Sequence, residues 1–247
     1  MKRIGLSIGL NRVNPGSYDG WDGKLVAAVP DAVAFNSLFA QAGLTSGMLL
    51  DEAATLRQVV GELELAADEL DEGDAFVWSY SGHGTENEQG EFFCLFDGEL
   101  GDKMLHNLRA RFKPGVHVVS IFDSCYSGGM SRGAGTRNPN RRVKPIGFPA
   151  LRRTRLQTTI PIQATELLLT ASRTTEESAE DERHGYFTGA LLDTLRTGET
   201  WKQWFESAAA MTTSRNPFQH PVVYQLGPQT IFPSAVFTFE AVQTSND

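Results

Sequence analysis

Four short apolar runs recur along the chain, Arg3–Leu10, Ala75–Tyr80, Gly115–Phe122 and Thr165–Ala171, and none alternates cleanly between apolar and polar residues. A strand without alternation is buried on both faces, which is the pattern of a parallel sheet covered by helices. Helical periodicity fills the intervals. Residues 30–43 open with Pro30 in a first-turn position, repeat Phe35, Leu38, Phe39 and Ala42, and stop at Gly43. Residues 55–70 begin with Thr55 and Gln58 at capping-box spacing and carry Leu56, Val59, Val60, Leu63, Ala67 and Leu70 on one face. The stretches 102–112, 185–198 and 200–211 read as further helices, with Trp201, Trp204 and Phe205 spaced for packing. This order predicts an α/β fold: a mostly parallel sheet with helices on both faces and right-handed crossovers. Residues Glu91–Gly98 read as a small inserted hairpin, in which Cys94 is a packed thiol.

Charge and cysteine content narrow the function classes. A net charge of −8 over 247 residues argues against nucleic acid or an anionic membrane as partner. The apolar stretch after Met1 is too short for a secretory leader or a bilayer span and reads as the first strand. Two cysteines, Cys94 and Cys125, supply neither a disulfide framework nor a multi-cysteine zinc site, so a reducing, cytoplasmic setting is expected. His106, His117, His184 and His220 lack ligand spacing and read as core or surface residues.

One segment departs from the acidic average. Residues 131–156 hold Arg132, Arg137, Arg141, Arg142, Lys144, Arg152, Arg153 and Arg155 with no Asp or Glu, and show no regular periodicity. A loop of this length within a compact domain is functional or disordered. On composition alone it reads equally as a solvated loop or a nucleic-acid patch.

Chemistry-bearing residues concentrate where two of the apolar runs end. "YSGHG" places His83 between Gly82 and Gly84 after the second run, and "DSCYSGG" places Cys125 before Gly128 and Gly129 after the third. In an open parallel sheet, ligands bind beyond the carboxyl ends of the strands. A thiol needs a base to act as a nucleophile near neutral pH, and histidine is the usual one. The glycines allow close backbone approach and leave N–H groups to face a developing oxyanion.

Taken together, "YSGHG" and "DSCYSGG" resemble the paired motifs of caspase-like cysteine peptidases, and more closely those of the metacaspase and bacterial orthocaspase branch. The similarity extends through residues 11–32, 54–74 and 168–195. The resemblance implies a three-layer sandwich around a central, mostly parallel six-stranded sheet. It divides a single peptidase domain, 1–247, into a large-subunit-like part (1–130), an Arg-rich linker (131–160) and a small-subunit-like part (161–247). It implies a His83/Cys125 dyad, an oxyanion hole from the Gly84 and Cys125 N–H groups, and an acidic pocket of Asp31, Ser81 and Asp123 that accepts Arg or Lys before the cut. A cysteine that family members often carry three residues before the first of these is Ala28 here. The expected partners are protein or peptide substrates with a basic residue before the cut, and an upstream protease or regulator. Self-cleavage after Arg142, Arg153 or Arg155 is expected to mature the enzyme. No cofactor is required on this reading. The resemblance also brings in calcium as an activator, with Asp97 and Asp102 in the region of its ligands, although the family's paired aspartates are not both present here. The alternatives are a catalytically silent or latent scaffold of the same fold, and a peptidase with another side-chain preference.

Overall fold

The computed structural model describes residues 1–87, 90–124, 160–173 and 176–239. Its centre is a six-stranded sheet made of β1 (Arg3–Gly9), β2 (Thr45–Leu50), β3 (Ala75–Ser81), β7 (His117–Asp123), β8 (Thr165–Thr170) and β9 (Val222–Leu226). The strand order is β2-β1-β3-β7-β8-β9. All pairings are parallel except β8 with β9. A smaller antiparallel sheet of β4 (Gly84–Asn87), β5 (Gly90–Cys94) and β6 (Glu99–Gly101) follows the histidine. The turn is thus set one strand earlier than expected: residues 91–98 contribute a strand and a loop, and the preceding β4 begins next to His83.

The unalternating runs are central strands. Every residue of β3 and of β7 is buried. The two strands that periodicity did not show, β2 and β9, are the partly exposed edges of the sheet. Both lack the buried apolar run that marks the interior strands.

Helices α1 (Ala28–Gln41), α4 (Tyr186–Thr194) and α5 (Trp201–Arg215) cover one face, and α2 (Leu56–Glu69) and α3 (Asp102–Arg109) the other. The first helix starts two residues before Pro30, so the proline stands inside the first turn, where its missing N–H breaks no helical bond. Thr55 caps α2 by accepting from Gln58 N, and Thr200 with Gln203 makes a complete capping box on α5. The α5 face buries Trp201, Trp204 and Phe205 against Phe187, Leu191 and Leu167. The opposite core gathers Trp78, Phe76, Phe93, Phe112 and Phe122 with Leu63 and Leu70. Cys94 is buried beside Val13 and Tyr18. Among the described residues no helix is long and apolar enough to cross a membrane.

Strands from both sides of the Arg-rich segment share this sheet, since β7 pairs with β8 over six positions. The carboxyl ends of β1, β3, β7 and β8 therefore lie along one edge, and His83 leaves the sheet there.

Candidate active site

His83 leaves the sheet from β3. Ser81 pairs with Asp123, and Gly82 N donates to Asp123 O at 3.3 Å, so the segments leading to His83 and away from Asp123 leave the sheet side by side. The turn is tied down by Tyr80, whose hydroxyl lies 2.8 Å from His83 O and 2.9 Å from Cys94 O. That anchor accounts for Gly82: a Cβ there would stand 2.8 Å from the Tyr80 hydroxyl, on a backbone with φ of +158° that side chains avoid.

The imidazole is held from the loop that follows β1. His83 Nε2 lies 3.2 Å from Gly23 O. Only the protonated nitrogen can approach a carbonyl oxygen in this way, so in the neutral ring Nδ1 is the basic nitrogen. Trp21 packs on the ring with centroids 4.7 Å apart and planes tilted by 56°. The loop itself is fixed by buried Tyr18, whose hydroxyl meets Leu95 O and Gly98 O at 2.6 and 2.7 Å, and by Val13 N bonded to Asp22 O. Cys94 N donates to His83 O, and Gly84 stands opposite Phe93 in the next register position. By the alternation of an antiparallel ladder, Gly84 N–H then points away from β5.

Asp31, Ser81 and Asp123 do come together, and the structure adds residues that sequence reasoning did not assign to the site. Asp31, in the first turn of α1, is wholly buried. Its Oδ2 accepts from Ser81 Oγ at 2.7 Å, its Oδ1 meets His184 Nδ1 at 2.8 Å, and both oxygens lie within 3.3 Å of Gly185 N. Asp123, at the end of β7, accepts from both the N–H and the hydroxyl of Thr188 at 2.8 Å. Gly185 is the N-cap of α4, and a Cβ there would collide with the Asp123 carboxylate. Glu180 accepts from Val26 N and Ala27 N at the start of α1. Two helix N-termini thus converge on the acidic pair, and their dipoles offset part of the cost of burying it.

That cost remains visible in the proton equilibria. Burial and then the charge of Asp31 push the Asp123 carboxyl up to about 7, against the Thr188 hydrogen bonds, and Glu180 adds to the rise. Burial also raises Asp31, although the His184, Ser81 and Gly185 bonds pull it down. His184 is raised in turn, first by its hydrogen bond to Asp31.

Read as core or surface, His184 is instead part of the cluster, because its partner Asp31 stands 153 positions earlier in the chain. His117 fits the earlier reading as a core residue, and burial lowers its pKa. His220 bonds Glu176 at 2.9 Å.

The two candidate calcium ligands stand in different settings. Asp97 Oδ1 accepts from Leu56 N at the start of α2, where it acts as a helix cap contributed from another segment. Asp102 lies in the first turn of α3. Among the described residues no group of three or more His, Cys, Asp or Glu side chains gathers to hold a metal. Cys125, Arg142, Arg153 and Arg155 lie outside the described residues.

The family model described as the caspase domain matches residues 13–228. The chain is similar to protein GSU0716 of Geobacter sulfurreducens, with 28% identity and a TM-score of 0.78 over 96% of this chain and 99% of that one. It shares its fold with caspase-1 of Spodoptera frugiperda, at 12% identity and a TM-score of 0.65 over 95% and 91% of the two chains. A search of curated protein sequences finds no match. Membership supports cysteine-type peptidase chemistry in general terms. With the caspase-domain model matching residues 13–228, most of its length, the chain belongs to the caspase-domain family.

Proposed function

We propose that the protein is a cysteine endopeptidase, of the metacaspase and orthocaspase kind, that cleaves after Arg or Lys using His83 and Cys125. The observation that carries this reading is the buried Asp31–Asp123 pair with Ser81, which lies next to the histidine at the carboxyl edge of the sheet. Two carboxylates and a hydroxyl are the partners that a buried guanidinium needs.

The steps follow from the parts. His83 Nδ1 takes the thiol proton of Cys125, and the sulfur attacks the scissile carbonyl carbon. The carbonyl electron pair moves onto oxygen, where the Gly84 and Cys125 N–H groups receive it. The C–N bond breaks as the imidazolium returns its proton to the leaving amine, which leaves a thioester. Water, deprotonated by His83, then attacks the thioester carbonyl and releases the acid and the thiol. The same preference makes residues 131–160 a substrate of the enzyme itself, with cleavage after Arg142, Arg153 or Arg155.

A latent scaffold is the second reading, and one observation favours it: internal donors already occupy both oxygens of Asp31. The deciding experiment compares fluorogenic peptides ending in Arg, Lys or Asp, cut by wild type and by Cys125→Ala under reducing conditions, with and without calcium. Turnover after Arg or Lys that disappears in Cys125→Ala is the expected result. Cleavage after another residue overturns the specificity, and a folded sample that cuts nothing supports the scaffold.

A further inference from the structure

A pocket that accepts a cation needs an anion to offer, and Asp31 has little left. A carboxylate presents about four lone-pair sites. Here Ser81 Oγ, His184 Nδ1 and Gly185 N take up those of Asp31. An arginine fork requires two acceptors in one plane, so at least one donor must leave before a guanidinium can bind. The three donors are not equally free to do so. Gly185 N is backbone at the start of α4, pressed against Asp123, and Ser81 belongs to a fully buried strand. His184 is a side chain with 30% of its surface exposed, and it alone among the three can turn out to solvent.

We propose that His184 is a specificity-determining residue of this pocket: its imidazole, on Asp31, holds the place of the substrate's basic side chain, and Arg or Lys enters by displacing it. The inference rests on the proposed preference for Arg or Lys and deepens it. A cationic substrate then competes with the protonated imidazole for one carboxylate. The surroundings favour the proton. From α1 the ring meets Asp31, from β7 the acid of Asp123 lies beyond it, and its own loop supplies Glu180, Asp181 and Arg183. Arg215 of α5 acts on the same loop through Asp181. Negative groups outnumber positive ones, in accord with the raised pKa of His184.

The sign of the pH effect follows. As pH rises through the His184 value, the imidazole loses its charge and its hold on Asp31 weakens, so basic peptides bind better. Asp123 acts in the same direction, because losing its proton near pH 7 adds a negative charge to the pocket. KM for an Arg peptide should fall between pH 6 and pH 8, with a limiting slope of about tenfold per pH unit for release of one proton. A matched peptide with glutamine before the cut should show no such trend.

The experiment measures kcat and KM for the Arg and glutamine peptides over this range in wild type, His184→Ala and His184→Asn. His184→Ala should lower KM for Arg at pH 6 with kcat little changed, and keep only the slope due to Asp123. His184→Asn retains an amide donor close to the Nδ1 position without a titrating charge. It should likewise leave only the slope due to Asp123, even if the alanine variant folds poorly. Arg turnover in all three proteins with the wild-type KM and slope would overturn the inference and leave the preference for basic residues standing. Cleavage after some other residue would remove the preference and the inference with it. In a sample that cuts nothing, benzamidinium is titrated while the His184 imidazole is followed by 1H–15N NMR. Displacement of the His184 signal supports the inference, and an unmoved signal overturns it.

Discussion

Two clusters stand a few residues apart at the same sheet edge and are built on opposite principles. Around His83 the structure uses backbone and rings: a carbonyl from Gly23, the face of Trp21, and the Tyr80 hydroxyl on the loop carbonyls. None of these groups carries a charge. Around Asp31 and Asp123 it uses ionisable groups, buried against one another and against two helix N-termini. The first arrangement fixes an orientation at little electrostatic cost. The second stores unfavourable electrostatics that a cation would relieve. Mutations at the histidine should therefore act on rate, and mutations at the acids on stability and its dependence on pH.

The largest effect tests the first half of that contrast. His83→Ala should lower kcat by roughly 10²–10⁴-fold, the usual contribution of a positioned acid–base group. Its melting temperature should stay near that of wild type, because the ring contributes little to either main core. Peptide turnover and thermal denaturation on the same sample check both parts. A variant that melts early, or one that retains full rate, breaks the comparison.

The second half predicts a stability effect. Asp123 keeps its proton in the folded protein up to about pH 7, whereas an unfolded aspartate ionises near pH 4. Folding therefore takes up a proton between these values, and the stability due to this group falls as pH rises from 4 to 7. Asp123→Asn keeps the shape and an acceptor for Thr188 while removing the titration. It should flatten the denaturation free energy over that window and gain stability at pH 8, by about 4 kcal/mol as an upper bound. Asp31 and His184 are raised as well, so a shallower slope of the same sign should remain. Urea denaturation of both proteins at pH 4, 6 and 8 decides it. Parallel curves would show that Asp123 is not a strained acid.

These contrasts also mark how far the sequence could be read. The central strands announce themselves, since a run such as Ala75–Tyr80 is buried on both faces and its apolar residues need no partner to be recognised. Asp31, Ser81 and Asp123 were legible as a group only through the family resemblance. Their meeting depends on α1 docking its first turn against the ends of β3 and β7, which no local pattern encodes. His184 and Thr188 escaped because a trans-chain hydrogen bond leaves no periodic trace. A usable signal was present nonetheless: "ERHGYFTGALL" places a histidine, a glycine and a threonine at the start of a helix, where an external carboxylate finds open N–H groups. The edge strands β2 and β9 were missed for a related reason. Their residues face solvent in part, so neither continuous burial nor regular alternation identifies them.

The smallest effect concerns the residue that sets the angle of the imidazole. Trp21 touches His83 from the side of the post-β1 loop and is itself braced by Tyr18, whose ring centroid lies 5.9 Å away at 65°. On this geometry Trp21 is a positioning residue: it limits the swing of the ring while the Gly23 carbonyl fixes its tautomer. In the proposed mechanism, a ring free to swing about its bond to Gly23 O spends less time with Nδ1 placed to take the thiol proton. Trp21→Ala should reduce kcat by about tenfold, equivalent to about 1.4 kcal/mol, with KM unchanged, because the indole is not part of the Asp31–Asp123 cluster. Trp21→Phe keeps a flat apolar face at the same place and should recover most of the loss. A purely structural role would give a different pattern, with a lower melting temperature in Trp21→Ala and loss of active protein rather than of turnover per active site. Active-site titration with a thiol-reactive peptide, alongside kcat and KM, separates the two. If Trp21→Ala keeps the full rate per titrated site, the histidine is held without Trp21, and the uncharged cluster is simpler than its contacts imply.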